Sequence, residues 1–308
     1  MDSTLVAVSE NQVGQRLDRF LADRLSISRA RVRHLLEVGQ VSIAGRVLSA
    51  SDKSRMTTSG ENFEVVGALR AEDDAPKPRP DLDLAIIEDR EGFLVVNKPA
   101  GIGVHPLRPD QEDTVLNAVI ARYPQILGVG EAGLRSGVLH RLDVDTTGVL
   151  SFAKDEAHWK RLRGAFTEHR VDKRYLALVS GRIERRKRMD LPLVTTRHSP
   201  ARAEVKEGGR SCRQRVAPVK LFAEATLVDI RLETGFMHQI RATMAHIGHP
   251  LLGDQHYGPE DGAHRAAANR QMLHAASLAV DELEVTVGPP ADFEAVLASL
   301  GPEESRKI

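Results

Sequence analysis

At 308 residues the chain is long enough for roughly two domains, and no run in it approaches the ~20 apolar residues of a membrane span. Cys212 is its one cysteine, which excludes an intrachain disulfide and a cysteine-based zinc site. The acidic, polar start MDSTLVAVSENQ reads as neither a secretory signal nor an Arg-rich transit peptide, so a reducing, cytoplasmic setting is expected. Lys+Arg and Asp+Glu both number 43, and a neutral total argues mildly against a nucleic-acid partner. The distribution argues the other way: nine bases face four acids between Gly14 and Arg55, and 17 face 6 between His158 and Arg215. The compensating acids lie in Glu61–Glu91 and after Val280, so electropositive patches on a neutral protein are expected.

Gln15–Leu25 places Leu17, Phe20, Leu21 and Leu25 on one helical face. A second helix is expected after Ser28 as N-cap, with Val32, Leu35 and Leu36 apolar, Arg29, Arg31 and Arg33 outside the stripe, and Gly39 as its stop. VSIAGRVL then reads as a hairpin turning at Ala44-Gly45. Helix, basic helix and hairpin make a small module over 14–66. Residues 67–83, Pro-rich, charged and aperiodic, read as a linker, and a second domain should run over 84–298.

In that second domain two apolar runs precede a Pro-Ala-Gly turn. A helix is expected over Thr114–Tyr123 with Asp113 as its cap, and Gly128–Gly137 reads as a loop. Asp155–His169 is an amphipathic helix burying Trp159, Leu162 and Phe166. Lys173–Gly181 is a strand, Glu184–Val216 an irregular β-rich excursion, and Ala223–Glu233 a strand. Thr234–Gly248 reads as a helix with Met237, Ile240, Met244 and Ile247 inward, and Gln271–Val285 as a further strand or helix-to-strand segment. Many strands, few helices and short connections predict an α+β fold with a mixed, largely antiparallel sheet, preceded by the small N-terminal module.

The chemistry-bearing stretch is VLHRLDVDTTGVLSFAK, Val138–Lys154. It sets His140, Arg141, Asp143 and Asp145 beside a turn entering a buried strand, where ionisable groups acquire defined protonation states. On local grounds Asp143 reads first as a turn-capping carboxylate. Arg141 two residues away would keep it ionised, as a nucleophile or base requires. In TGFMHQIRATMAHIGHPLLGDQHYG helical spacing brings His238 and Arg241 together. Its histidines 238, 246, 249 and 256 lack a recognisable ligand spacing, with Asp254 the one nearby acid, so no metal is expected. Tyr175, one of three tyrosines, is either a core aromatic or a ring that stacks on a base.

Two resemblances join these segments. RLDRFLADRLSISRARVRHLLEVGQVSIAGRVL resembles the "S four" RNA-binding module, which lays its basic second helix and hairpin on an RNA backbone; members often carry Asn where Ala44 stands. VVNKPAGIGVHP, LHRLDVDTTGVLSFAK, KRYLALVSG, TGFMHQIRATMAHIGHPLLGDQHYG and RQMLHAASL, in this order, closely resemble the RluA-type family of RNA pseudouridine synthases. That resemblance implies an isomerase converting uridine to pseudouridine in large-subunit ribosomal RNA or an assembling subunit; such a reaction oxidises nothing and needs no cofactor, and a monomer with no membrane partner is expected. Asp143 matches the family's essential aspartate and Arg141 the arginine that fills the space or holds phosphate when the base flips. Tyr175 matches the tyrosine stacking on the flipped uracil, and Arg241 the arginine pairing with the carboxylate. Lys98 and Gln239 match motif positions with a structural role. The sequence departs from the family at Phe236, usually basic, at Thr243, usually His, and at Val144 and Thr147, where Lys and Ser are commoner. Those departures keep open an alternative, a non-catalytic RNA-binding or ribosome-assembly factor on the same fold.

Overall fold

The structure, a computed structural model, describes all residues except 1–2, 26, 28, 68–74, 132, 199–200, 259–267, 282 and 303–308. The chain divides into two compact units, Met1–Asp83 with His105–Val138, and Leu84–Val104 with Leu139–Ile308.

In the first unit β1 (Ser3–Ala7), α1 (Leu17–Leu25), α2 (Arg29–Glu37), β2 (Val41–Ile43), β3 (Arg46–Val47) and β4 (Asn62–Val66) follow in order. The strands form an antiparallel sheet, β1-β4-β2-β3. The apolar stripes of α1 and α2 supply Leu17, Phe20, Leu21, Val32, Leu35 and Leu36, which meet Val41, Phe63 and Val65 in one cluster. Helix, helix and hairpin are as the periodicity predicts, and β1 extends the sheet beyond it. Ser28, the expected cap of α2, lies outside the described residues. Arg29, outside the apolar stripe as expected and about half exposed, reaches Asp18 near the start of α1, with Nη2 2.6 Å from its Oδ2.

Later in the same unit α3 (Val115–Arg122) forms where a helix is expected, capped by Thr114 rather than Asp113. Asn117 Oδ1 accepts from both the backbone N–H and the hydroxyl of Thr114, a reciprocal cap that Asp113, one residue earlier, cannot make. Asn117 also donates to the Lys77 carbonyl at 2.8 Å, and the Arg79 N–H donates to the Asn117 carbonyl at 3.0 Å. The described part of the expected linker is thus tied to α3.

The second unit holds β5 (Ala85–Asp89), β6 (Phe93–Lys98), β7 (Thr147–Ala153), α4 (Glu156–Thr167), β8 (Asp172–Ser180), β9 (Lys187–His198) and β10 (Ala201–Val205). After these come β11 (Arg210–Leu221), β12 (Ala225–Leu232), α5 (Gln239–His246), β13 (Leu273–Val280), β14 (Leu283–Thr286) and α6 (Ala291–Ser299). Ten strands make one sheet in the order β10-β9-β11-β12-β8-β13-β7-β6-β5, with β14 paired to β13. Every described pairing in it is antiparallel except β7 with β13. The fold is α+β with a mixed, largely antiparallel sheet. Glu184–Val216 is regular, not irregular: β9 and β11 run twelve residues each and pair directly. β7 is buried throughout and β6 at every residue but Asn97, with apolar side chains on both faces (Leu94, Val95, Val96, Val149, Leu150, Phe152), which makes their shared end a rigid mount.

Candidate active site

The mount carries a turn. Immediately before β7, Asp143–Thr146 closes with the Thr146 N–H donating to the Asp143 carbonyl at 3.1 Å. Lys98, at the end of β6 and fully buried, donates to the carbonyls of Pro99 (2.8 Å), Val144 (2.6 Å) and Thr146 (3.0 Å). Three ammonium donors meet three acceptors. Burial pushes the Lys98 amine down to about 7, against the pull of Asp145 and Asp143. The Gly101 N–H also reaches the Val144 carbonyl, and Arg270 Nη1 reaches the Asp145 carbonyl at 3.0 Å. Gly148 follows because nothing larger fits: its φ is +111°, and a Cβ would lie 2.2 Å from the Ala275 carbonyl oxygen.

This accounts for two of the departures. The Val144 side chain is exposed, and its carbonyl is the part that binds Lys98. Thr147 keeps a hydroxyl, 2.9 Å from His274 Nδ1. His140, at the head of the stretch, accepts the Ser151 N–H on Nε2 at 3.1 Å and stacks on Phe166. Burial and then Lys173 and Arg163 push it down to about 3, so it is neutral.

Opposite Asp143 stands α5. The helix expected from Thr234 begins at Gln239, because His238 adopts the left-handed conformation (φ +53°) as its N-cap; periodicity cannot register such a residue. Met237 therefore lies before the helix. Arg241, 4% exposed, donates from Nη1 to Asp143 Oδ2 at 2.9 Å. Its Nε and Nη2 grip Asp254 in a two-pronged pair at 2.7 and 2.9 Å. Burial opposes its charge, but Asp254 and Asp143 outweigh burial and hold the guanidinium protonated. Asp254 is pushed up by burial and pulled further down by Arg241 and by the N–H groups of His256 and Tyr257. Asp143 keeps 25% of its side chain exposed, so it alone of the three is open to a substrate.

Tyr175 on β8 is buried, and burial, then the charge of Asp143, push its hydroxyl above the ordinary phenol range. Arg141 stands exposed two residues before Asp143. The structure thus joins Asp143 and Arg241 by a hydrogen bond, sets Tyr175 within reach of the carboxylate's field, and shows Arg141 exposed. Gln239 is a staple: its amide donates to the Arg213 carbonyl and accepts from the Thr234 hydroxyl. Thr243 bonds back to the Gln239 carbonyl at 2.8 Å, and Phe236 packs on the Leu193, Ala203, Cys212 and Ala242 cluster. Both remaining departures are therefore satisfied internally.

The sequence reading missed the roles of Asp254 and Tyr257. Asp254 entered it only as an acid near histidines; its isolation within the apolar PLLGDQHYG run was the available signal. Tyr257 lies with its ring 5.1 Å from the Arg241 guanidinium, and its hydroxyl bonds to the Ala203 N–H and His238 Nδ1. Of the histidines, His249 bonds to the Ser180 carbonyl rather than to another histidine.

Together these groups offer a partly exposed carboxylate, a fixed buried cation behind it and a neutral phenol nearby, which suits attack at, or proton removal from, a sugar centre gaining positive charge. Comparison with known proteins points the same way. Residues 92–246 match the family model described as RNA pseudouridylate synthase. The chain is 35% identical to the ribosomal large subunit pseudouridine synthase D of Zymomonas mobilis, covering 96% of this chain and 94% of that one. It is also 35% identical to the protein of that name from Yersinia pestis, over 88% and 84%. Among solved structures, human RNA Pseudouridylate Synthase Domain Containing 1 superposes with a TM-score of 0.58 at 26% identity, covering 75% of this chain and 93% of that one.

Proposed function

The chain belongs to the RNA pseudouridylate synthase family, and on that premise we propose that it isomerises uridines of large-subunit ribosomal RNA with Asp143 as the working carboxylate. The reaction breaks the bond from ribose C1′ to uracil N1 and forms one from C1′ to C5. The base loses a proton at C5 and gains one at N1, and nothing is oxidised or reduced.

The observation that carries the assignment is the 2.9 Å contact between partly exposed Asp143 and buried Arg241, itself pinned by Asp254. Arg241 orients the carboxylate and sets a fixed positive charge beside it. The same contact counts against a non-catalytic factor on this fold, which has no need of an open, cation-backed carboxylate. Asp143 can then attack the anomeric carbon, attack the ring, or take a sugar proton; each route uses the same oxygens. Extracting the base from its stack costs a few kcal/mol, roughly. Stacking on Tyr175 returns about 1–3 kcal/mol, and exposed Arg141 fills the space left behind or holds a phosphate. The ribosomal substrate is supported by the names of the relatives and by the basic N-terminal module and β9–β11 segment, which suit salt-dependent contact with an RNA backbone. Asp143, Tyr175, Arg141 and Arg241 all come from one unit, consistent with a monomer as the working form.

Asp143→Ala is expected to abolish pseudouridine formation while RNA binding persists. Tritium release from uracil-labelled ribosomal RNA, with binding measured in parallel, tests this. Wild-type release by the variant would overturn the assignment.

A further inference from the structure

The two oxygens of Asp143 face different donors. Oδ2 takes the Arg241 guanidinium at 2.9 Å; Oδ1 has His238 Nε2 at 3.9 Å. What the imidazole presents there depends on which ring nitrogen carries its proton, and the neighbours decide it. The Ala203 N–H can only donate, and it donates to the Tyr257 hydroxyl oxygen at 2.8 Å. That hydroxyl has one proton, and His238 Nδ1 lies 3.0 Å away. Giving the proton to Nδ1 satisfies both groups and leaves the remaining imidazole proton on Nε2.

Both rings are held in place. Tyr257 packs against the guanidinium groups of Arg241 and Arg202, each 5.1 Å from its centroid, and His238 meets it edge-on at 5.7 Å. The His238 backbone is left-handed (φ +53°), a conformation few non-glycine residues adopt and one that persists where surroundings over-determine it.

We propose that His238 is a positioning residue for Asp143: a one-way chain from the Ala203 N–H through the Tyr257 hydroxyl locks the imidazole as its Nε2–H form and aims that proton at Oδ1. With Arg241 hydrogen-bonded to Oδ2, the neutral Nε2–H presents its dipole to the other oxygen from 3.9 Å, so one neighbour of the carboxylate is charged and one neutral. The inference rests on Asp143 being the working carboxylate.

A pH signature follows. Burial holds His238 below the ordinary imidazole range; Arg241 and His256 push the same way, and Asp143 and Asp254 oppose. The Tyr257 donor favours the neutral ring, so removing the hydroxyl raises the affinity of Nδ1 for a proton. A protonated His238 would put a second cation beside Asp143 and so oppose the positive charge that develops at the sugar. The acid limb of kcat should therefore move to higher pH when the hydroxyl is lost.

The test uses the full chain and ribosomal RNA transcribed with tritium at uracil C5. Five variants are compared with wild type: Tyr257→Phe, His238→Asn, the double variant of these two, His238→Gln and Asp143→Asn. Asn tolerates the left-handed backbone but is too short to reach Oδ1; Gln keeps a donor of greater reach. Tyr257→Phe and His238→Asn should each lower kcat about tenfold, the scale of one lost hydrogen bond, with KM within about twofold of wild type. Tyr257→Phe should also shift the acid limb upward, and His238→Gln should recover part of the loss. The Tyr257→Phe/His238→Asn double variant should be no slower than the slower single, because both act through one chain. A wild-type kcat and acid limb in Tyr257→Phe beside an inactive Asp143→Asn would overturn the inference alone, as would an increase confined to KM. Full activity in Asp143→Asn would overturn the premise as well.

Discussion

Two ion triads in this protein are inversions of one another. In the first unit the buried member is an anion: Asp18 receives Arg16 at 3.1 Å and Arg29 at 2.6 Å, and both arginines are about half exposed (45% and 51%). In the second unit the central member is a cation, Arg241, between fully buried Asp254 and partly exposed Asp143. The Asp18 group carries a surplus of positive charge outward, and its carboxylate is doubly neutralised near a helix start, where an anion is favoured. Such a carboxylate is a fastener. The Arg241 group carries a surplus of negative charge, and the only member open to solvent is Asp143. Asp143 takes one hydrogen bond from that cation, and Asp254 takes two. The same residue types thus give a carboxylate closed off by two cations in one place and a carboxylate left open to solvent in the other, according to which charge is central.

Removing one carboxylate from each triad separates the two cases. Asp254→Ala leaves a buried guanidinium with half its partners, and loss of one partner of a buried pair costs roughly 3–5 kcal/mol. It also makes Asp143 the sole counter-ion of Arg241, so kcat should collapse along with stability. Trp159, the sole tryptophan, lies on α4 and reports unfolding of the second unit by fluorescence in denaturant. Asp18→Asn should cost only about 1 kcal/mol, because two half-exposed arginines return to water and the amide keeps an acceptor. Turnover should then be unchanged on a short substrate. Equal stability losses in the two variants would dissolve the distinction.

Acid titration sharpens it. Burial pushes the Asp18 carboxyl up, but hydrogen bonds from Arg16 and Arg29 outweigh burial and hold it below its ordinary 3.8. Its folded value is depressed, so its contribution is present above that ordinary value and lost only as pH falls through the lower folded one. His140 responds earlier. Its ring is held near 3 against an ordinary 6.5, so between those limits the unfolded chain binds a proton that the folded one refuses. Stability of the second unit should fall on acidification from about pH 6.5, by up to about 1.4 kcal/mol per pH unit from this residue. Trp159 fluorescence followed in denaturant from pH 7 to pH 4 measures the slope. A flat profile, or one unchanged in His140→Asn, would remove this group from the account.

What the sequence disclosed follows the range of the forces involved. Stripes and alternation are local, so α1, α4, β8 and β12 were legible within a residue or two, and the separated motifs single out Asp143 and Arg241, which the fold brings into contact. The register of β7 against β13, which demands Gly148, was not legible, since it joins residues more than a hundred positions apart. Nor was the second grip on Arg241. Asp254 lies thirteen residues on, past a helix end and a Pro turn, and no periodicity links the two. Lys98 was assigned a structural role without its target; only tertiary structure shows that it fastens the carbonyls of the Asp143 turn. The late start of α5 failed for a different reason: left-handed His238 breaks the helix from within an otherwise helical pattern.

The smallest effect is expected where no ion is involved, and it sets the scale for the Asp18 change. The β2–β3 hairpin turns on Ala44 and Gly45, both at positive φ (48° and 79°), a two-residue turn that favours Asn-Gly. Ala44 is exposed and has no side-chain interaction to offset a left-handed backbone, which costs an L-residue roughly 1–2 kcal/mol. Ala44→Asn should recover about 0.5–1 kcal/mol of that strain. Ala44→Gly should recover less, because glycine also gains freedom in the unfolded chain. Both should leave turnover on a short substrate unchanged. Denaturant midpoints of the two variants, measured beside Asp18→Asn, give the comparison. Stabilisation by Asn greater than by Gly places the strain in the turn itself. Destabilisation by both would mean that Ala44 is held by something other than the turn, and the backbone scale for judging Asp18 would be lost with it.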